Sequence, residues 1–382
     1  MGEAPPAGAN DGCVGPSSAD AGRAAACAGC PNAGACASGA LKAGPTAEEV
    51  ADAVAIAGRM SHVRHKVLVL SGKGGVGKST TSAQLAWFLA SRGYRVGVLD
   101  VDICGPSAPK MFGLEGHEVH ASGSGWSPCY VHENLGVMSI GFLVQDPNEA
   151  VVWRGPRKNG LIKQFLKDTD WGDAGEGVDF LVVDTPPGTS DEHISLAQML
   201  KPCLGPGDGA LVVTTPQQVS VIDVRKELSF CRKTGLKVLG VVENMSELCG
   251  PLGSSFRLTH PDPRTGARVD VTAEAAQALR SAGLDPALLW AHTQVFSPEG
   301  GGGEALAGAC GVPFLGRVPM DPTLGAACEQ GASVFGDIDD LLDGAPPAAA
   351  AASASASAME SIFAGVLASF GEPPSRPAAP MQ

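Results

Sequence analysis

The ten residues "SGKGGVGKST", Ser71 to Thr80, constrain this chain more than any other stretch. They follow an apolar, β-branched run, "HKVLVLS", and lead into a segment of helical length over residues 77–92. A Gly-x4-Gly-Lys-Ser/Thr pattern therefore falls at a strand-to-helix junction, the context it needs to act as a phosphate-binding loop. Gly72, Gly74, Gly75 and Gly77 let the backbone curl around Val76 until successive N–H groups face phosphate oxygens, with the positive end of a helix dipole behind them. Lys78 then reaches the β- and γ-phosphates, Ser79 offers a hydroxyl to magnesium, and Thr80 completes the pattern.

The rest of the chain supplies the fold such a loop requires. Apolar runs at 65–71, 94–100, 178–184, 209–215, 236–244 and 313–319 read as strands buried on both faces, and segments such as 217–233 have helical length. Strands alternating with helices predict an α/β domain, a mostly parallel sheet flanked by helices, with ligands at the carboxyl ends of the strands. Acidic residues stand at two such ends. "VLDVDICGPS" carries Asp100 and Asp102, and "FLVVDTPPGTSDEH" carries Asp184, which looks like the Walker B aspartate that holds magnesium through its water shell. A lone aspartate there would as readily cap a turn. Three of them beside a phosphate loop point to chemistry.

The extra lysine at Lys73 makes the loop resemble the deviant Walker A of MinD, ParA and nitrogenase-iron-protein ATPases. That resemblance implies a nucleotide-sandwich homodimer in which Lys73 reaches the partner's nucleotide. It also implies that Asp102 positions the attacking water, that Asp100 is associated with magnesium, and that Asn244 in "VVENMS" reads an adenine edge. ATP and Mg2+ are the implied cofactors.

Flanking the ATPase domain, expected over 46–343, are segments of different character. Residues 1–45 are rich in Ala, Gly, Pro and Ser, too poor in large apolar side chains to order themselves without a cross-link, and are expected to form a flexible tail. Residues 344–358 read as a low-complexity linker, 359–370 as a short amphipathic packing helix through Met359, Ile362, Phe363, Val366, Leu367 and Phe370, and 371–382 as a disordered end. A net charge of -13 argues against nucleic acid. No apolar run reaches the roughly 18 residues of a membrane span, and "MGEAPPAGAN" has neither a signal-peptide pattern nor, with Pro6, a myristoylation one. A cytoplasmic protein without a membrane partner is expected.

Within the tail, Cys13, Cys27, Cys30 and Cys36 are spaced so that thiolates can wrap one metal centre. A tetrahedral zinc and a 4Fe-4S cluster both want four sulfurs, and spacing alone does not choose between them. The other thiols, Cys104, Cys129, Cys203, Cys231, Cys310 and Cys328, lack ligand spacing and read as core fillers, Cys104 least clearly because it adjoins Asp102.

Taken in order, the four-cysteine tail, "GKGGVGKS", "DVDICGPSAPKMFG", "VVWRGPRKNGLIKQFL", "DFLVVDTPPGTSDEHIS", "VVTTPQQVSVIDVRK", "VVENMS" and "GVPFLGRVPMDP" closely resemble the Mrp/NBP family, in its plant and algal form. The resemblance runs from Cys13 to about residue 337. It implies a cytosolic scaffold ATPase that assembles a 4Fe-4S cluster on Cys13, Cys27, Cys30 and Cys36 and passes it to cytosolic and nuclear apoproteins, as a homodimer or with a related scaffold ATPase, and in company with iron-sulfur targeting factors. Trp153, Arg154 and Lys158 are implied at the dimer interface.

One departure stands out. Many members carry Cys-x2-Cys after the "ENMS" strand, where two subunits share a bridging cluster; this chain has Cys249 alone, Leu252 at the second position, and an insertion-like segment over 253–296. Two other readings stay open: a positioning ATPase of the MinD or ParA kind, and a zinc-stapled P-loop ATPase.

Overall fold

Chain order alternates strand and helix, as the apolar runs require. The computed structural model describes residues 6–39, 46–143, 155–172, 177–297, 300–343 and 353–375. Trp153 and Arg154, expected at an interface, lie outside them. Contacts divide the chain into two units, Met1–Val54 and Ala55–Gln382.

In the first unit, residues 6–39 are a succession of turns with one 3-10 turn at Ala25–Cys27 and a short helix, α1 (Ala33–Ala37). With little apolar surface available, asparagine amides tie the turns together. Asn10 Nδ2 donates to the carbonyls of Ala26 and Ala28 at 3.1 Å each, and Asn32 Nδ2 donates to the Ala7 carbonyl at 2.9 Å. Helix α2 (Ala47–Met60) follows.

The second unit is built on β1 (Val63–Ser71), α3 (Lys78–Ser91), β2 (Val96–Asp100), α4 (Ala108–Met111), a hairpin of β3 (His120–Ser122) and β4 (Gly125–Ser127), then β5 (Cys129–His132) and β6 (Leu135–Ser139). It continues through α5 (Gly155–Asp168), β7 (Val178–Asp184), α6 (Asp191–Leu200), β8 (Gly209–Thr214), α7 (Gln218–Thr234) and the long β9 (Val238–Pro251). The insertion-like stretch contributes α8 (Leu252–Ser255), a hairpin of β10 (Thr259–Pro261) and β11 (Arg268–Asp270), α9 (Thr272–Ser281) and β12 (Trp290–Thr293). Last come α10 (Gly302–Cys310), β13 (Phe314–Met320), α11 (Pro322–Gln330), α12 (Ile338–Leu342) and α13 (Ala354–Ser369).

The principal sheet runs β12-β9-β8-β1-β7-β2-β6-β5, with β13 also paired to β9. It is parallel from β9 to β6 and along β13, and antiparallel only at β5 and β12. Both faces are covered by helices, which is why β1, β2, β7 and β8 read as unbroken apolar runs. One core lies between the sheet and α3, α11 and α13, the other between the sheet and α5, α6, α7 and α10.

The C-terminal helix begins at Ala354, inside the expected linker, and not at Met359. The cause is local: Ser353 Oγ caps the helix by accepting from the Ala356 amide, and both Ser353 and Ser355 hydroxyls donate to Asp321 Oδ2. Met359, Ile362, Phe363, Val366 and Leu367 are buried in the core as their spacing predicts. Among the described residues, no helix is long and apolar enough to cross a membrane.

Candidate nucleotide site

Parallel register brings the carboxylates to one line. Asp184 is the neighbour of Val69 on one side and of Asp100 on the other, so the ends of β1, β7 and β2 open together beneath the loop that leaves Ser71. Two glycines in that loop are dictated by close approach. A Cβ on Gly72 would stand 2.5 Å from the backbone carbon of Asp223 in α7. Gly77, at φ 88°, caps α3, and a Cβ there would meet Asn244 Nδ2 at 2.1 Å. The loop thus fits between two elements that no side chain would allow so near.

Lys78 begins α3 and is 6% exposed. Its ammonium donates to Asp184 Oδ1 at 2.5 Å and to Ser79 Oγ at 3.2 Å. Ser82, one turn further along α3, donates to the same Asp184 oxygen at 2.8 Å. Asp100 is fully buried; it accepts from the Asp102 amide at 3.0 Å, the Ala108 amide at 3.2 Å and the Ser139 hydroxyl at 2.9 Å. Burial, and then the Asp184 carboxylate, push Asp100 up to about 7 against the pull of Lys78 and its backbone donors. Asp102 is half-exposed, and burial also raises it, opposed chiefly by Lys78. Asp184, Asp100 and, at the rim, Asp102 gather carboxylate oxygens around the Lys78 ammonium, a donor set that suits a divalent cation.

A cleft of about 430 Å³ lies over this floor, lined by Lys73, Gly74, Gly75, Gly77, Lys78, Ser79, Thr80, Asp102, Ser107 and Met245, among others. Of the residues expected to act here, Lys73, Lys78, Asp102, Ser79 and Thr80 line the cleft, and Asp184 lies just below. Lys73 Nζ donates to Gln217 Oε1 at 3.4 Å, at the start of α7. Val76 is buried. Asn244 is placed differently from an open base reader: 5% exposed, it donates from Nδ2 to the Val76 carbonyl at 2.9 Å and braces the loop from below. Reading an adenine edge would use its other amide atom or exchange that bond. Its neighbour Met245 lines the cleft at φ 56°, the one non-glycine with positive φ among the described residues.

Ser82, Ser139, Gln217 and Met245 were not singled out by motif. Ser82 alone carried a signal, since it sits one helical turn after Lys78 on the face toward the sheet. Lys158 donates to Cys104 Sγ at 3.1 Å and pairs with Glu192 at 3.2 Å. Cys104 is exposed, which corrects its reading as a core filler; Cys129, Cys231 and Cys328 are buried, and Cys203 and Cys310 half-buried. Buried His193 is pushed down to about 4 by loss of hydration and is held neutral.

In the first unit, Cys36 is 8% exposed, and its thiol is raised by burial and then by Cys13, Cys30 and Cys27 in turn. Cys36 thus lies within electrostatic reach of the other three thiols of the set. Cys249, fully buried in β9, is pushed up to about 11 by burial and by the carboxylates of Asp321 and Glu247.

A glycine cradle at the head of α3, a lysine on a strand-end aspartate and a mostly parallel sheet define a P-loop NTPase. Residues 62–279 match the model of the ParA family described as NUBPL iron-transfer P-loop NTPase, and the chain belongs to that family. A nucleotide-binding protein from Archaeoglobus fulgidus, solved with ADP and with cobalt, is 32% identical over 73% of this chain and 91% of its own, with a TM-score of 0.51. MinD from Pyrococcus horikoshii OT3, solved with Mg-ADP, is 18% identical over 80% of this chain and 96% of its own, with a TM-score of 0.44. Membership carries nucleotide binding and hydrolysis with it.

Proposed function

We propose that this protein is a cytosolic scaffold ATPase whose cargo is a 4Fe-4S cluster, held by Cys13, Cys27, Cys30 and Cys36 and passed on to apoproteins. The observation that carries this reading is that Cys36 lies within electrostatic reach of Cys13, Cys30 and Cys27, in a unit of turns that has almost no apolar core. Ligation can supply the folding energy that alanine and glycine cannot.

The donor set alone accommodates either a tetrahedral zinc or a 4Fe-4S cluster; the family's description as iron-transfer P-loop NTPases supports the cluster.

ATP with Mg2+ fits the cleft by its donor set. Asp184 and Ser79 would hold the magnesium ion, which would supply charge neutralisation to the phosphates; Lys78 would then serve the β- and γ-phosphates, and Asp102 at the rim would position the water. In a homodimer, Lys73, which lines the cleft, would reach the second copy's nucleotide. A related scaffold ATPase in that place, targeting factors and recipient apoproteins belong to the same reading. The MinD-like alternative needs a free membrane-binding helix, and α13, the terminal candidate, has its apolar face in the core and no lysine or arginine.

The test is anaerobic reconstitution with iron and sulfide on the full chain and on Cys27→Ala, followed by visible absorption and EPR. A cluster spectrum that is lost in Cys27→Ala is expected. Equal spectra in both, or one tightly held zinc that iron does not replace, would sink the scaffold reading.

A further inference from the structure

We propose that Glu247, Cys249 and His292 form a binding site for one divalent transition-metal ion of the zinc type, separate from the cysteine tail and complete within one chain. Strand geometry assembles it. Glu247 and Cys249 are two apart on β9 and so project from one face, and the antiparallel register sets His292 of β12 directly opposite Cys249. One donor atom from each of the three lies within 4.8 Å of the others, and His292 Nδ1 is 3.2 Å from Glu247 Oε1. A small inward movement brings such a trio to the bond lengths of a tetrahedral ion, about 2.0–2.3 Å.

The donors are one sulfur, one imidazole nitrogen and one carboxylate oxygen. Zinc and its first-row neighbours accept that mixture, whereas calcium and magnesium want oxygen alone. Cys249 is fully buried, while the side chains of His292 and Glu247 are 54% and 43% exposed, so the thiol forms the floor and the other two the mouth. Glu247 also lines a cleft of about 600 Å³ with Glu243, Gln294 and Arg317, which leaves room for a fourth ligand.

The insertion gains a purpose by this reading. Its strand β12 delivers His292 beside a thiol that has Leu252, and no second cysteine, three residues on.

The test uses the full chain carrying Cys13→Ser, Cys27→Ser, Cys30→Ser and Cys36→Ser, so that the tail binds nothing and the outcome is independent of the scaffold reading. Anaerobic titration with Co2+ should give one ion per chain, with a sulfur-to-cobalt charge-transfer band and the strong visible bands of a tetrahedral site, both removed by added Zn2+. Cys249→Ser should abolish the charge-transfer band. His292→Ala changes a half-exposed residue, should keep the circular dichroism and melting temperature, and should weaken Co2+ about tenfold or more. A charge-transfer band that survives Cys249→Ser, affinity unchanged in a folded His292→Ala, or half an ion per chain shared between copies would each overturn the proposal.

Discussion

Lys78 Nζ sits 2.5 Å from Asp184 Oδ1, with the lysine side chain 6% and the aspartate side chain 4% exposed. Lys78 thus neutralises the Asp184 carboxylate, while Asp100 beside it is pushed up to about 7 by burial and then by Asp184. Removing either partner strands the other's charge in a buried site.

Lys78→Ala should therefore do two things. Nucleotide turnover should fall by ~100-fold or more, as when a principal donor to transition-state charge is lost. The nucleotide-free protein should also lose about 3–5 kcal/mol, because Asp184 is then buried unpaired. Adding Asp184→Asn should restore much of the stability and none of the activity. Urea melts of wild type and the two variants decide it; equal melts for wild type and Lys78→Ala would show that the ion pair has no net value.

Gly77→Ala should be more damaging than Asn244→Ala. The first needs a left-handed backbone in alanine and puts a methyl where Asn244 Nδ2 stands, 2.1 Å from the ideal Cβ. The second removes one hydrogen bond to the Val76 carbonyl, about 1–2 kcal/mol. The pair together should recover part of the Gly77→Ala loss, since the collision goes and the backbone strain stays. ATP affinity by calorimetry and thermal melting give the comparison. No recovery in the pair would mean that the collision is not the cause.

Much of this site could be read from residue order, because its parts are local or stand at strand ends. Gly72 through Thr80 specify a loop by their own conformational needs, and Asp184 is marked by the apolar strand before it. What could not be read depends on contacts between distant segments. That Asn244 braces the loop through the Val76 carbonyl is visible only once β9 is laid under it. Glu247 and His292 lie 45 positions apart and have no motif in common; only the β9–β12 register joins them. The start of α13 was hidden likewise, since an Ala-Ser repeat reads as linker until Asp321 is there to accept from Ser353 and Ser355.

Phe363 tests that last point. Fully buried, it packs against Phe88 at 5.8 Å and Phe335 at 6.3 Å between ring centroids. Phe363→Ala should cost about 3–5 kcal/mol, as for a core aromatic anywhere in the sheet domain. A loss under about 1 kcal/mol in chemical denaturation would make α13 a detachable appendage and reopen a partner-binding role for it.

Glu227 offers a test of stability against pH. It lies on α7 with 1% exposure, neither carboxylate oxygen has a hydrogen-bond partner among the described residues, and burial, with Asp223 adding to it, pushes it up to about 7 from an ordinary 4.5. The folded state therefore holds this proton more tightly than the unfolded chain does. Below about pH 4.5 both states are protonated and Glu227 costs nothing; as pH rises toward 7 the unfolded chain releases the proton first, and stability falls. Buried His193, pushed down to about 4, works the other way: its neutral form is favoured in the fold, so its contribution is complete above about 6.5 and is lost as pH falls. The two partly cancel in the wild type, and only the difference between variants isolates one of them. Glu227→Met, which keeps the volume and removes the charge, should match wild type near pH 4.5 and exceed it at pH 8 by on the order of 2 kcal/mol. Melting temperatures across that range give the result. A constant offset at all pH values would show that Glu227 is ionised throughout and finds its partner in the folded state.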